Sequence, residues 1–228
     1  MRYNRIFALV YRLSFAIIAI LGVIFNTRMF TSEFSPTTLL YYTTQSNLLA
    51  LALFVYLAVM TILDIKKHSI KGLSSYAPNL TFILMIDILL TFVIFWVVLA
   101  PTMIGSDYNL FSFSNLAVHT FVPLAVLGDY FIFNPDKKIK YRHANYVLIY
   151  PLVYASFAMV FGAFKIINYY TFGIGEGPNY FPYFFMDYYL YGGYVIIFIL
   201  GIASFLFTIS NTVYYFLNRH QGKLLNKK

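Results

Sequence analysis

The sequence predicts an all-α integral membrane protein, a single domain over residues 1–228 with six transmembrane helices and both termini in the cytoplasm. Three observations predict it: the composition, six long apolar runs and the placement of positive charge. The chain is 61% hydrophobic and 11% charged, whereas soluble domains carry about 25% charged residues. A globule of this size needs a polar surface, so the composition excludes a soluble enzyme, and the high hydrophobicity excludes a disordered chain.

Six runs are long enough for helices that cross the hydrocarbon core, which takes about 20 mostly apolar residues. They lie near residues 6–25, 39–63, 80–103, 115–133, 145–166 and 187–216. The runs are continuously apolar instead of alternating, which argues against the strands of an outer-membrane barrel. No small-x-small cleavage site follows the first run, so we expect it to stay as a helix and not to act as a signal peptide.

Positive charge is concentrated in alternate connectors. Basic residues fill the turns at 64–68 and 134–140 and the tail at 219–228. Of the 16 lysines and arginines, only Arg28 and Lys165 are assigned to the opposite side of the membrane from these basic segments. Because positive residues stay in the cytoplasm, the chain is predicted to lie N-in and C-in, in the plasma membrane. The basic turns are interpreted as topology signals, and no nucleic-acid partner is expected.

A run of polar side chains opens the second span. It consists of Thr43, Thr44, Gln45, Ser46 and Asn47. Polar groups inside a bilayer are costly, which makes each one a functional candidate. Thr43 and Asn47 are four residues apart and share a helix face. The alternative explanation is a hydrated helix end, and this segment alone does not decide between the two.

His119 is the only one of the four histidines within a predicted span. It lies ~6 Å below the outer end of the fourth span, at a depth similar to that of Thr43. A hydroxyl and an imidazole at matched depth suit a nucleophile and its general base. The alternative is a histidine that hydrogen-bonds two helices. We expect no cofactor and no metal, because Cys is absent and no second intramembrane histidine is present to ligate a haem.

Three charged residues fall within spans one, three and four. Arg12, Asp87 and Asp129 each lie roughly 9–10 Å from the cytoplasmic ends. Two bare carboxylates at that depth are very costly, so Arg12 is expected to pair with one of them. One interpretation is a structural ion pair that locks three helices together. The other is a relay for protons or ions.

The connector before the last span is rich in aromatic residues, glycine and proline. Its G-x-G-x-G at 173–177 follows no strand, so dinucleotide binding is not expected. The loop suits either a lid over a lipid site or a segment that lies among the headgroups. Asp187 begins the last predicted span, where it can orient His119 or pair with Lys165.

Three motifs in order resemble those of a known family. They are Tyr-Thr-x-Gln-Ser-Asn opening span two, a His followed by Pro123 and Asp129 along span four, and Phe-Pro-Tyr…Asp before the last span. The chain resembles the bacterial six-span Pr-six-Pr membrane proteins over nearly its whole length. More distantly, it is similar to the eukaryotic androgen-induced and androgen-dependent membrane threonine hydrolases. Phe184 stands where the bacterial pattern usually has a second proline.

The resemblance implies a hydrolase site. In the eukaryotic relatives a membrane threonine and histidine cleave fatty acid esters of hydroxy fatty acids. Carried over by motif, the nucleophile is Thr43, with Thr44 as the competing register, and the base is His119. Asp129 and Asp187 match acidic positions of the family.

Chemically, Gln45 or Asn47 can donate a hydrogen bond to an oxyanion. The leading hypothesis is therefore a threonine-dependent hydrolase of a lipid ester, with its site in the outer half of the bilayer. The alternative is a transporter or lipid-binding membrane protein that uses Arg12, Asp87 and Asp129 as a relay. The third hypothesis is a membrane scaffold without catalytic activity.

Overall fold

The computed structural model describes residues 3–134, 139–169 and 178–225, with 219–225 described by their backbone alone. Six long apolar helices make up most of it. They are α1 (Arg5–Asn26), α2 (Tyr42–Lys67), α3 (Pro78–Met103), α4 (Phe113–Phe133), α5 (Tyr141–Ala163) and α6 (Tyr194–Leu225). No strand occurs within the described ranges. The predicted all-α fold with six apolar helices is confirmed, and these helices are compatible with a membrane protein.

The helices begin where the sequence supplies caps. The Asn4 side chain accepts hydrogen bonds from the N–H groups of Ile6 and Phe7, at 2.9 and 3.2 Å, and so starts α1. Ser112 accepts a bond from Asn115 N–H at 3.3 Å and starts α4. Such side chains satisfy N–H groups that have no partner within the helix. Pro78 opens α3, where its missing N–H costs little.

Contacts between the helix ends define two ends of the bundle. At one end the Arg5 guanidinium donates to the carbonyl of Ser69, beyond the end of α2, at 2.8 Å. At the other end the ring of Phe25 in α1 meets that of Phe113 in α4, with centroids 6.2 Å apart. Consecutive helices run in opposite directions, so the start of α2 lies at this second end. We name the two the Arg5 end and the Thr43 end.

The helices differ in how deeply they are buried. In α4, 56% of the most apolar stretch is buried inside the protein, whereas in α6 only 17% is. Helix α1 reaches α4 closely at Gly22, where a Cβ atom would lie 2.8 Å from the Cβ of Ala117. Helices α1 to α4 therefore form the packed centre, and α5 and α6 flank it.

Helices α3 and α4 each contain one π-helical turn, at Phe95–Leu99 and Ala117–Phe121. Each turn is followed two residues later by a proline, Pro101 or Pro123. Proline has no N–H, and its ring crowds the carbonyl four residues earlier. A wider turn relieves that crowding. In α4 the crowded carbonyl is that of His119.

Several helix boundaries differ from those predicted; α5, for example, begins at Tyr141 instead of residue 145, and α6 ends at Leu225 instead of residue 216. Two of the differences affect the site. Helix α2 begins at Tyr42 instead of residue 39, because Pro36–Leu40 forms a tighter 3-10 turn. The last span begins at Tyr194 instead of residue 187. The short helix Tyr188–Tyr191 precedes it and ends at Gly192, whose φ of 55° breaks the helical path.

Candidate functional site

A cleft lies between α3, α5 and α6 and reaches the start of α2. It holds about 690 Å³, including the open space at its mouth. Its walls are mostly apolar. Leu152 of α5 lines it and is 42% exposed, so the cleft reaches the outer surface of the helix bundle.

The polar groups of the cleft gather near the start of α2. Thr43 lines it together with the phenols of Tyr42, Tyr154 and Tyr183. The phenol of Tyr183 accepts a hydrogen bond from Thr43 N–H and so lies beside this threonine. Burial raises the pKa of Tyr183, so this phenol is neutral at physiological pH. The cleft therefore carries several hydroxyl groups on a largely apolar wall.

Two phenols also cap α2. Tyr154 accepts a hydrogen bond from Tyr42 N–H at 3.1 Å and donates to the carbonyl of Leu40 at 3.1 Å. Tyr183 accepts from Thr43 N–H at 3.4 Å. The first N–H groups of any helix lack partners within the helix. Because Tyr41 at the cap position supplies no side-chain cap, tyrosines distant in sequence take that role.

The two adjacent threonines are placed differently. Thr43 lines the cleft, whereas the hydroxyl of Thr44 donates to the carbonyl of Thr38 at 2.8 Å. Thr44 thereby holds the 3-10 turn before α2 against the helix start. Its hydroxyl proton is engaged with the backbone, which the sequence alone did not indicate.

The remaining polar residues of this segment join neighbouring helices. Gln45 accepts a hydrogen bond from the phenol of Tyr150 at 3.1 Å. The hydroxyls of Ser46 and Thr91 lie 2.8 Å apart and link α2 to α3. The run of polar side chains in α2 thus has several interhelical bonds to make, which explains why it is longer than one cap requires.

Asn47 connects the Thr43 turn to the His119 turn. Its amide donates to the carbonyls of Thr43 and Val118, at 2.8 and 2.9 Å. Because one nitrogen atom bonds both carbonyl oxygens, the first turn of α2 is held close to the π-helical turn of α4. The Oδ1 atom of Asn47 is buried without a hydrogen-bond partner.

His119 lies in the π-helical turn of α4, stacked on an aromatic ring. Its imidazole and the ring of Phe95 are nearly parallel, at 16°, with centroids 3.7 Å apart. Next to this stack the indole N–H of Trp96 donates to the Thr120 hydroxyl at 2.9 Å. The two π-helical turns therefore meet side by side. The Nδ1 atom of His119 is buried without a partner.

Thr43 lines the cleft, whereas His119 contacts a lining residue, Phe95, and does not line the cleft itself. Phe95, which stacks on the imidazole, lines the cleft together with Thr43. Within the described residues no hydrogen bond joins the Thr43 hydroxyl to the His119 ring. Their pairing as nucleophile and base stays a prediction.

Arg12 and Asp129 form a fully buried ion pair. The Nε and Nη2 atoms of Arg12 donate to the two carboxylate oxygens, at 2.7 and 3.1 Å. The other donors of the guanidinium reach the Thr61 hydroxyl at 2.7 Å and the carbonyls of Leu57 and Ser74, at 3.4 and 2.7 Å. Every N–H of the guanidinium is satisfied, so this pair locks α1, α2 and α4 together.

Asp87 stands apart from that pair. Both of its carboxylate oxygens are buried without a hydrogen-bond partner. Only its backbone carbonyl is engaged, accepting from the Tyr42 phenol at 3.2 Å. No ion pair in the described residues joins it to Arg12. The three charged residues proposed as a relay thus form one closed pair and one isolated carboxyl group.

Asp187 acts as a helix cap. Its Oδ1 atom accepts from the N–H groups of Tyr189 and Leu190, at 2.9 and 3.2 Å. The ammonium group of Lys165 lies over the ring of Tyr189, 5.0 Å from its centroid. These contacts assign Asp187 a structural role. The G-x-G-x-G at 173–177 lies outside the described residues.

The six apolar helices define the class of protein, and the site alone does not identify a function within that class. The fold is that of a six-helix protein compatible with a membrane, with a partly open apolar cleft that carries a threonine. Comparison of the chain with protein-family models, curated proteins and solved structures finds no match. The function therefore has to be inferred from the site itself.

Two residues of the site were missed from the sequence. Tyr183 was seen only as part of a motif, and Phe95 was one of many apolar residues in its span. A signal for Phe95 was present, because Pro101 within a long helical run predicts a local distortion. Nothing in the sequence marks Tyr183 as the partner of Thr43, since 140 residues separate them.

Proposed function

We propose that the protein is a membrane-embedded hydrolase that cleaves a lipid ester, with Thr43 as nucleophile and His119 as general base. The observation that carries the proposal is the position of Thr43 on the wall of an apolar cleft, beside the phenol of Tyr183. Apolar walls suit an acyl chain, and ester cleavage by this route needs an activated hydroxyl. The resemblance to membrane threonine hydrolases points the same way.

The proposed reaction has two steps. Thr43 Oγ1 attacks the ester carbonyl carbon while its proton passes to His119, and the imidazolium then protonates the departing alcohol. This leaves Thr43 acylated. A water molecule gives a proton to the same imidazole, attacks the acyl carbon and releases the fatty acid, and the proton returns to Thr43.

The first turn of α2 suits the oxyanion better than the side chains of Gln45 and Asn47. The Asn47 amide nitrogen already donates to the carbonyls of Thr43 and Val118, and the Gln45 side chain is held by its oxygen to the Tyr150 phenol of α5. The N–H of Thr43 meets the Tyr183 phenol only through a long bond of 3.4 Å. Backbone N–H groups at a helix start carry partial positive charge and can stabilise a developing oxyanion.

Thr43 is preferred to Thr44 for a chemical reason. A nucleophilic hydroxyl must give its proton to a base during attack. The Thr44 hydroxyl donates that proton to the carbonyl of Thr38. Thr43 instead lies on the cleft wall, where an ester can reach it.

Phe95 links substrate entry to the base. Its ring lines the cleft and stacks on the imidazole of His119. An acyl chain that enters the cleft presses on this ring and loosens the stack. The catalytic pair then assembles only when the cleft is occupied, as in other enzymes that complete their sites on closure.

The test is labelling of the purified protein with a fluorophosphonate probe, which reacts with activated hydroxyls. We compare wild type with Thr43→Val, Thr44→Val and His119→Gln. Valine keeps the shape of threonine and replaces its hydroxyl group with a methyl group. We expect Thr43→Val and His119→Gln to lose labelling and Thr44→Val to retain it.

Other outcomes revise the proposal in defined ways. Loss of labelling in Thr44→Val alone moves the nucleophile by one residue. A wild-type protein that is folded, stays unlabelled and does not hydrolyse lipid esters overturns the hydrolase. Circular dichroism and thermal unfolding on each variant separate lost chemistry from lost structure.

We also propose that both termini face the cytoplasm of a plasma-membrane protein, on the distribution of positive charge. The chain contains no cysteine, so single cysteines report accessibility without a background. Ser106→Cys, between α3 and α4, is expected to react with a membrane-impermeant maleimide on intact cells. Ser69→Cys, at the Arg5 end, is expected to react only after permeabilisation. The reverse pattern inverts the orientation.

Asp87 supports a second candidate, a proton-coupled transporter. Two unpartnered oxygens on a buried carboxyl group mark a site where a proton can bind, as intramembrane carboxyl groups do in transporters. The test is proton flux into liposomes that contain the protein. Flux that vanishes in Asp87→Asn and persists in Thr43→Val supports the transporter, and absence of flux in the wild type rejects it.

A further inference from the structure

The cleft ends in three leucines, one from each helix that forms it. Among the cleft residues, Leu90 and Leu148 lie nearest the starts of α3 and α5, and Leu206 lies furthest along α6. Because α6 runs opposite to the other two, these three positions share the side of the cleft towards the Arg5 end. We name Leu90, Leu148 and Leu206 the leucine floor.

Two of the three leucines of the floor are buried, and Leu148 is partly buried. Leu206 is 1% exposed and Leu90 is 6% exposed. Below it, the hydroxyl of Ser210 in α6 donates to the carbonyl of Ala144 in α5 at 2.6 Å. This bond holds α5 and α6 together one turn beyond Leu206. The cleft therefore has a closed end within the bundle.

The distance from the reacting group to the floor follows from helix geometry. The phenol of Tyr154 bonds Tyr42 N–H, which sets Tyr154 level with the start of α2. Leu148 lies six residues earlier in the same helix, ~9 Å away along the axis at ~1.5 Å per residue. The space between is a short, mainly apolar slot. Most of its hydroxyl groups lie at the Thr43 side, and that of Thr91, next to Leu90, is engaged with the hydroxyl of Ser46.

One ligand chemistry fits this slot. Its walls offer apolar contacts, and at Leu152 it reaches the surface that a bilayer would cover. An unbranched acyl chain with its ester at Thr43 matches both features, since the chain can enter sideways from the lipid. A chain longer than the slot has to bend or leave part of its length outside.

We propose that the leucine floor sets the length of acyl chain that the cleft accepts, with Leu206 as the principal specificity-determining residue. The inference rests on the proposed function for the identity of the ligand as an ester. Each methylene moved from water into the cleft contributes about 0.8 kcal/mol, a factor of about four in affinity when the affinity is referred to the free ester in water. Affinity therefore rises about fourfold per methylene until the chain meets the floor, and then stops rising.

Binding is measured apart from hydrolysis, on the Thr43→Val protein in detergent. Because the micelle also takes up the chain, each affinity is referred to the concentration of free ester in water, measured separately for each chain length. A homologous series of straight-chain methyl esters displaces an environment-sensitive fluorescent fatty ester. In this background we expect Leu206→Trp to shorten, by several methylenes, the chain length at which affinity stops rising. We expect Leu206→Ala to lengthen it. Leu200→Trp is the matched control, because Leu200 is on the same helix and 59% exposed.

A second floor variant guards against a misfolded Leu206→Trp protein. Leu148→Phe shortens the slot from α5 and is expected to shift the series in the same direction. Unfolding midpoints are recorded for each variant. An affinity that rises without a break in the parent protein overturns the inference, as does a break that the floor variants leave unmoved.

The outcome for the floor is separable from that for the hydrolase. If the chain length at which affinity stops rising changes in the Leu206 variants, but the protein hydrolyses no ester, then the inference about the leucine floor holds and the proposed hydrolase activity is rejected. If the protein hydrolyses esters with a chain-length preference that the Leu206 variants do not change, then the hydrolase activity holds and the inference about the leucine floor is rejected. Equal displacement by a bulky ring-bearing amphiphile rejects an unbranched chain as the ligand.

Discussion

The imidazole of His119 and the ring of Phe95 stack with their centroids 3.7 Å apart, each on a π-helical turn of a different helix. Both turns precede a proline, and a wider turn re-aims the side chains within it. The stack buries the imidazole while leaving its Nδ1 atom without a partner. A polar atom in that condition costs free energy, so the stack holds the proposed base in an unsatisfied state.

Removal of the Phe95 ring is expected to expose His119. In Phe95→Ala the imidazole gains a free face towards the cleft, so its reaction with diethylpyrocarbonate is expected to be about tenfold faster. The measurement uses a background in which the other histidines, at positions 68, 143 and 220, are replaced by glutamine. Phe25→Ala is the control, since Phe25 is 55% exposed and packs on Phe113. Equal rates in both variants contradict a shielding role for Phe95.

Much of the architecture follows from the pattern of the sequence. Six continuous apolar runs can satisfy their backbone in lipid only as helices, so their number and order are predictable. The polar segment that begins at Thr43 was recognisable because its residues interrupt an apolar pattern. Arg12 was expected to need a carboxylate, since an unpaired buried charge is very costly.

The partners of these residues were less predictable. Asp87 and Asp129 lie at similar depths, and only the rotation of α3 and α4 determines which of them meets Arg12. The π-helical turns change that rotation locally, at Phe95 and His119. The capping of α2 by Tyr183 depends on how a distant connector folds back, which spacing and periodicity do not encode.

The pair of Arg12 and Asp129 is expected to dominate the stability of the Arg5 end. Arg12→Met leaves a buried carboxylate without a partner and is expected to cost about 3–5 kcal/mol. The double variant Arg12→Met/Asp129→Leu removes both charges and is expected to recover much of that loss. Unfolding in a sodium dodecyl sulfate titration measures both. A double variant less stable than Arg12→Met contradicts this account.

Gly22 is expected to tolerate no side chain. A Cβ atom there would lie 2.8 Å from the Cβ of Ala117 and 3.2 Å from Cγ1 of Val118. Gly22→Ala therefore pushes α1 away from the turn that carries His119, at a cost of about 1–3 kcal/mol. Gly201→Ala is the matched control in α6, where no atom lies within 4 Å of the added group.

The control is expected to stabilise slightly, because alanine is the better helix former by about 1 kcal/mol. Thermal unfolding of the two variants measures the contrast. If Gly22→Ala is as stable as Gly201→Ala, then α1 and α4 are not in the close contact described here.

Alkaline pH is expected to destabilise the fold through phenols at the Thr43 end. Burial raises the pKa of Tyr183, and it raises the pKa of Tyr169 to about 12. A group with a raised pKa in the folded state adds stability below its unfolded pKa, about 10 for tyrosine. That stability is lost as the pH rises towards the folded pKa. The free energy of unfolding is therefore expected to fall above about pH 10.

Tyr183→Phe is expected to change this dependence in two ways. At neutral pH the variant is less stable by about 1–3 kcal/mol, because Thr43 N–H loses its acceptor. Above about pH 10 its stability falls less steeply than that of the wild type. The phenol of Tyr183 ionises more readily in the unfolded chain than in the folded one, and the variant lacks this phenol. Tyr194→Phe is the control, because Tyr194 is 69% exposed. Unfolding midpoints across a pH series measure both effects, and equal alkaline slopes for wild type and Tyr183→Phe contradict the buried position of this phenol.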